Sequence, residues 1–204
     1  MKRMWFLFAL FFSMVSGSLP ALHAAEPARQ AVESFIEAIR GMEFPAADAG
    51  LQAKLVAEAN GFLDLNAMSI KALAPHWEAA AESDRQAFRD LMGQLVEAVA
   101  YPKSRRFMGR YEITYPEVKP SGTGFEVHSV IRQEGEGLDV DVLYHLYQEG
   151  GVWRIDDVIL DGVSITEDLH YQFDKLVKQS GFSGLLDAMR ERLAAAEKQN
   201  QTAA

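Results

Sequence analysis

Apolar positions recur at helical spacing through the first half of the chain and at alternate positions through much of the second. In PARQAVESFIEAIR, Ala31, Val32, Phe35, Ile36 and Ile39 fall every three or four residues. That spacing predicts a helix with Pro27 near its start and Gly41 as its stop. An Ala-rich stretch predicts a second helix over residues 46–60, ended at Asn60-Gly61. A third follows Asp64, whose carboxylate suits an N-cap, and runs through Met68 toward Leu73, where Pro75 ends or re-aims it. Ser83-Asp84-Arg85-Gln86 has the form of a capping box. The helix it opens carries Phe88, Leu91, Leu95 and Val99 on one stripe, and Tyr101-Pro102 is predicted to close it.

After Arg110 the period changes to two. RYEITYPEV, GFEVHSVIRQ, GLDVDVLYHLYQ and VWRIDDVIL are strand-like. In the third, Leu138, Val140, Val142, Tyr144 and Leu146 alternate with Asp139, Asp141 and His145. Glycine-bearing turns separate the runs at Ser121-Gly122-Thr123-Gly124, at residues 134–137 and at residues 149–151. Connections this short predict antiparallel neighbours. Helix returns at Ser164-Ile165-Thr166-Glu167, a second capping box, with Leu169, Phe173, Leu176 and Val177 on its apolar side. Gly181 interrupts it, SGLLDAMRERL forms a last helix, and EKQNQTAA reads as a frayed polar tail. The expected architecture is α+β: an antiparallel four- to five-stranded sheet covered on one face by helices. No repeat or long linker divides residues 25–204, which are expected to form a single domain.

The N-terminus changes the picture of where the protein works. MKR is a positive n-region, and WFLFALFFSMV is an apolar run too short for a stable membrane span. Small residues follow, with a cleavage point after Ala24 or Ala25. Residues 1–24 therefore read as a secretory signal peptide, and the mature chain as exported. The chain has no cysteine, which excludes disulfides, thiolate metal sites and lipid attachment at a cysteine. Cleavage removes Lys2 and Arg3 and takes the formal net charge from −9 to −11. So acidic a chain lacks the basic footprint of a nucleic-acid binder and does not adhere to anionic lipid by charge alone.

Candidate chemistry is sparse. Asp156, Asp157, Asp161, Glu167 and Asp168 crowd one strand-to-helix segment. Glu167 and Asp168 lie in a first helical turn, where carboxylates complement the helix dipole. Paired carboxylates need a pocket to act as acid and base, and spacing alone supplies none. His76, His128, His145 and His170 show no metal-ligand spacing, and no phosphate loop or nucleophile elbow is present. Ser83, Ser164 and Ser183 stand where helices are predicted to start, which suits capping. The unusual feature is apolar: Leu143 and Tyr147 add bulk to the second face of the third strand. A large packed core and an apolar cavity lined for an apolar ligand both fit that pattern.

Longer ordered stretches carry a resemblance. LAPHW, then SDRQAFRDLMGQLVEAVAYPKSRRFMGRYEITY, then WRIDDVILDGVSITEDLHYQF and GFSGLLDAM resemble, in order, segments of the MlaC/toluene-tolerance auxiliary family of periplasmic phospholipid-binding proteins. The chain departs from that pattern at Asp156, where the family often has Tyr, at Asp168-Leu169 in place of Asn-Tyr, and at His170 in place of Arg. The Gly common before the Trp is also missing from ALAPHW. The resemblance implies a monomeric periplasmic carrier with an apolar cavity and no catalysis or cofactor. Its cargo would be phospholipid, or a hopanoid or sterol-like lipid. Its partners would be an outer-membrane lipoprotein complex and an inner-membrane ABC transporter with its MCE-domain protein. Such a carrier maintains outer-membrane lipid asymmetry. Under it, Tyr101, Phe107, Val142, Tyr144, Leu146, Trp153, Ile155, Val163, Ile165 and Phe173 are the expected lipid-binding residues. The W-R-I strand also resembles those of cone-shaped α+β enzymes such as ketosteroid isomerase and scytalone dehydratase. There Asp157, His128 or His145 would carry proton transfer.

Overall fold

The computed structural model describes residues 19–109, 111–132 and 139–202, with side chains over 25–200. The apolar run of the predicted leader and the turn at 134–137 lie outside the described residues. Helix α1 spans Leu19–Gly41, beginning upstream of the expected start, so that Pro27 lies inside it. Ala31, Val32, Phe35, Ile36 and Ile39 are buried, as the spacing predicts, and Ala28 is buried one turn earlier. Helix α2 spans Ala49–Phe62, a few residues later than expected. Asp48 sets that start: its carboxylate accepts from Gly50 N at 2.8 Å and Leu51 N at 3.0 Å. Helix α3, Leu65–Leu73, is capped by Asp64, which accepts from Ala67 N at 2.8 Å. The four-residue helix α4, His76–Ala79, follows Pro75.

Helix α5 spans Glu82–Leu95, so Ser83 lies inside the first turn and does not cap it. Glu82 and Asp84 complement the helix dipole there instead. Ser183 likewise lies within a helix. The expected stop at Tyr101-Pro102 is also corrected. The chain widens into a π turn at Val96–Ala100 and continues as helix α6, Tyr101–Met108. Pro102 has no N–H for the carbonyl four residues back, that of Ala98. Asn200 Nδ2 donates to Ala98 O at 2.9 Å in its stead. Arg105 Nε donates to Met42 O at 2.9 Å and Arg40 Nε to Met108 O at 3.2 Å, which pins α6 to the end of α1.

The strands are β1 (Glu112–Ser121), β2 (Gly124–Arg132), β3 (Asp139–Glu149), β4 (Val152–Leu160) and β5 (Val163–Ser164). They form one sheet in chain order, every pair antiparallel. Val127, Ile131, Val142, Tyr144 and Leu146 are buried on its inner face. The β3–β4 register slips between His145 and Leu146, which face Asp157 and Ile155, so Asp156 is the extra residue of a bulge. That bulge lets Ile155 enter the core and Val158 also face inward, although they stand an odd three positions apart. Asp161 (φ 48°) and Gly162 (φ 82°) turn β4 into β5 with positive φ, which Asp and Gly tolerate best.

Helix α7 spans Ile165–Thr202 and breaks at Gly181 (φ 72°, ψ 177°), where the sequence places an interruption. The polar end is helical through Thr202, and Asn200 is tied to Ala98, so the expectation of a frayed tail is corrected over that stretch. Two apolar clusters result. One joins α1, α2 and α6 to the sheet. The other packs α3–α5 against both arms of α7, with Phe88 and Phe173 edge to face at 5.3 Å.

Candidate functional site

The two clusters do not close on one another. Between them lies a cavity of about 330 Å³, within the range of small-molecule sites. The sheet supplies its floor through Ile131, Val142, Tyr144 and Val158. Phe35 and Ile39 of α1 and Met68 of α3 form one wall. Met92, the π-turn residues Val96 and Ala100, and Tyr101 and Phe107 of α6 form another. Leu160, Ile165 and Leu169 stand where β4 and α7 meet it, and Lys103 and Ser104 supply its polar side chains along with the Tyr hydroxyls.

Its tyrosines behave as apolar wall. Burial raises the Tyr144 phenol well above its ordinary value, and the charge of Tyr115 adds to that, with a small opposing effect from Ser129. The Ser129 hydroxyl itself points to Val142 O at 3.4 Å, and the Tyr144 hydroxyl has no hydrogen-bond partner at full geometry. Burial, then the Glu97 charge, raises Tyr101 in the same direction. Its hydroxyl donates to Asn60 Oδ1 at 2.7 Å, while Asn60 Nδ2 donates to Glu97 Oε1 at 2.7 Å. Both phenols are neutral at physiological pH.

Of the expected lipid-binding residues, Tyr101, Phe107, Val142, Tyr144 and Ile165 line this cavity. Leu146 and Ile155 face each other across β3 and β4 as fully buried core and do not line it. Trp153 packs edge to face on Phe125 at 5.7 Å. Val163, on the short edge strand, is 60% exposed. Phe173 belongs to a second apolar cavity, between α5 and α7. Phe35, Ile39, Met92, Val96 and Leu169 were not legible as lining residues. The helical stripes place Phe35, Ile39 and Leu169 on apolar faces without marking an opening, and Met92 and Val96 lie outside the stripe of Phe88, Leu91, Leu95 and Val99 read for their helix.

The acid cluster is structural. Asp157 accepts from Ser164 Oγ at 2.6 Å, Val158 N at 2.9 Å and Thr166 N at 3.2 Å, which ties the end of β4 to the start of α7. Ser164 Oγ accepts from Glu167 N at 3.0 Å, the cap that the sequence predicts. Asp161 accepts from Asp141 N at 3.1 Å and braces its own turn. Asp168 accepts from Gln172 Nε2 at 2.7 Å. Asp156, buried in the bulge, meets Lys71 Nζ and His145 Nδ1, each at 2.5 Å. Burial alone would raise its pKa, but the Lys71 and His145 contacts together outweigh burial and hold it below the ordinary carboxylate range. His128 pairs with Asp141 at 2.6 Å on the outer side of the sheet. None of Asp157, His128 and His145 lines either apolar cavity. Among the described residues, no group of three or more His, Asp or Glu side chains is placed to hold a metal ion, and no helix is long and apolar enough to cross a membrane.

Comparison with known proteins bears on this cavity. The profile of the MlaC family, described as MlaC protein, matches residues 29–191. A search of curated proteins finds no match. Among solved structures, the fold is similar to that of a phospholipid-binding protein from Ralstonia solanacearum, determined in complex with a phospholipid. The TM-score is 0.69 at 20% identity, covering 85% of this chain and 98% of that one. At that identity the likeness establishes a shared fold.

Proposed function

The chain belongs to the MlaC family, and from that premise we propose that it is a phospholipid carrier. It holds acyl chains in the cavity between the sheet and the helices. The observation that carries this reading is the cavity itself: about 330 Å³ walled almost wholly by aliphatic and aromatic side chains in a chain of net charge −9. The phospholipid held by the similar Ralstonia protein supports it. Five of the expected residues, Tyr101, Phe107, Val142, Tyr144 and Ile165, serve as chain contacts, with Phe173 in the neighbouring cavity.

Covering an acyl chain of some fifteen methylenes is worth on the order of 12 kcal/mol relative to water. Transfer from bilayer to cavity is then close to neutral, while free passage through water is prohibitive. A protein of this kind needs a cavity and a docking surface, and no reaction centre. That the residues suited to proton transfer lie off the cavity favours the carrier over an isomerase-type enzyme. The apolar leader with its small-residue cleavage point supports export to the periplasm. The mature chain, one lipid-binding domain over 25–204, works there as a monomer between an outer-membrane lipoprotein complex and an inner-membrane ABC transporter with its MCE-domain protein, and so maintains lipid asymmetry.

The test is purification from a heterologous periplasm, organic extraction and mass spectrometry. Stoichiometric phospholipid is the expected result. Folded protein that carries no lipid, and takes up neither phospholipid nor a hopanoid from vesicles, would overturn the reading.

A further inference from the structure

The second apolar cavity is also about 330 Å³ and lies between α5, the π turn and the two arms of α7. It is not a separate feature of the surface. Met92, Val96, Ala100 and Leu169 line both cavities and form a common partition. Three of the four follow one another at four-residue spacing along α5 and the π turn, so a single helical ridge divides the space. Leu176 and Ala188, from opposite sides of the Gly181 break, complete the far wall. Charge follows the same pattern. Among the described residues, Lys103 in the first cavity and Arg192 in the second are the only charged side chains that line either one. No carboxylate does, although Asp and Glu outnumber Lys and Arg by 29 to 20 in the chain.

We propose that the second cavity is an acyl-chain compartment in its own right. It takes one chain of a diacyl phospholipid while the other occupies the cavity over the sheet, with the glycerol astride the ridge and the anionic phosphate between Lys103 and Arg192. This rests on the carrier reading and adds to it: cargo is selected for two chains and an anionic head by a partition that a one-chain lipid does not need. The π turn has a purpose in it. The widened turn carries the helix past Pro102, and so keeps Val96, Ala100 and Lys103 on one continuous rod bordering both cavities.

The test is competition. The delipidated full chain is offered equimolar dioleoyl phosphatidylglycerol and its lyso form, and bound species are counted by native mass spectrometry. Ala188→Trp fills the second cavity from a half-buried position, and Gln172→Trp narrows it from an exposed one, where folding is not at stake. The native chain is expected to prefer the diacyl form. Each variant is expected to lower the diacyl-to-lyso ratio by more than about tenfold, the effect of leaving as few as two methylenes unburied. Uptake of the lyso form should persist. An unchanged ratio in both variants overturns the inference while leaving the carrier reading intact, as does loss of both lipids together in folded Gln172→Trp. A native chain that takes up neither lipid overturns the carrier reading itself. For the head, Arg192→Ala should reduce the preference for phosphatidylglycerol over uncharged diacylglycerol of the same chains. An unaltered preference removes the phosphate from that position.

Discussion

Val158 and Ile155 lie three residues apart on β4, and both face inward because of the bulge at Asp156. They offer opposite responses to the same change. Ile155 is fully buried among core residues and borders neither cavity. Val158 borders a space of about 330 Å³, which is roughly ten times the ~30 Å³ share of one water. Replacing either by Phe adds a ring. At Ile155 the ring has nowhere to go, and overpacking costs about 1–3 kcal/mol. At Val158 it enters the cavity, gains contacts, and changes stability by between zero and about +1 kcal/mol, as cavity-filling changes do. For a chain of this length each kcal/mol moves Tm by about 2–4 °C. Ile155→Phe should therefore melt roughly 2–12 °C lower, and Val158→Phe at or a few degrees above the parent. Thermal melts of delipidated protein, followed by far-UV circular dichroism, read this directly. Lipid content by extraction should fall by more than half in Val158→Phe, since its ring occupies the space that the chain would fill. Equal destabilisation of the two variants, with lipid content unchanged in Val158→Phe, would refute the cavity and leave a packed core.

Other consequences follow from contacts already described. Asp157→Ala removes the acceptor for Val158 N, Thr166 N and Ser164 Oγ. It should cost about 2–3 kcal/mol by urea denaturation, with Asp157→Asn recovering part. Phe173→Ala empties the ring that meets Phe88 at 5.3 Å. A loss of about 3 kcal/mol is expected, the low end for such truncations, because the site already borders a cavity. Asn200→Ala leaves Ala98 O without its donor and should lower stability by about 1 kcal/mol, with backbone exchange rising around the π turn. Asp156 has a folded-state pKa below its reference of 3.8. Its pairing with Lys71 and His145 therefore stabilises the fold fully above that value, and the contribution is lost as pH falls through the depressed folded value. The stability difference between parent and Asp156→Asn should shrink as pH falls below 3.8; a difference that stays constant into strong acid would refute the linkage.

Much of this molecule is written locally. Alternation in β3, the stripe of α1, the Asp64 and Ser164 caps and the Gly181 break depend on neighbours within a few residues, and each is legible in the chain. So is the order of the sheet, because short glycine turns leave antiparallel pairing as the simple outcome. The errors arise where a distant group intervenes. Pro102 reads as a stop because it strands a carbonyl, and the helix continues where Asn200 supplies the missing donor. The Asp156 bulge, which changes the inward set of β4, is held by Lys71 from a helix 85 residues away in the chain. The site divides in the same way. Tyr144 and Val142 are recognisable as inward-facing from their period. Leu146 and Ile155 share that period and are packed solid, while Met92 and Leu169 come from helices that the period does not relate to the sheet. Burial is a property of one side chain and leaves a mark on the sequence. A void is a mismatch between surfaces brought together from distant segments, and only the tertiary structure decides where it opens.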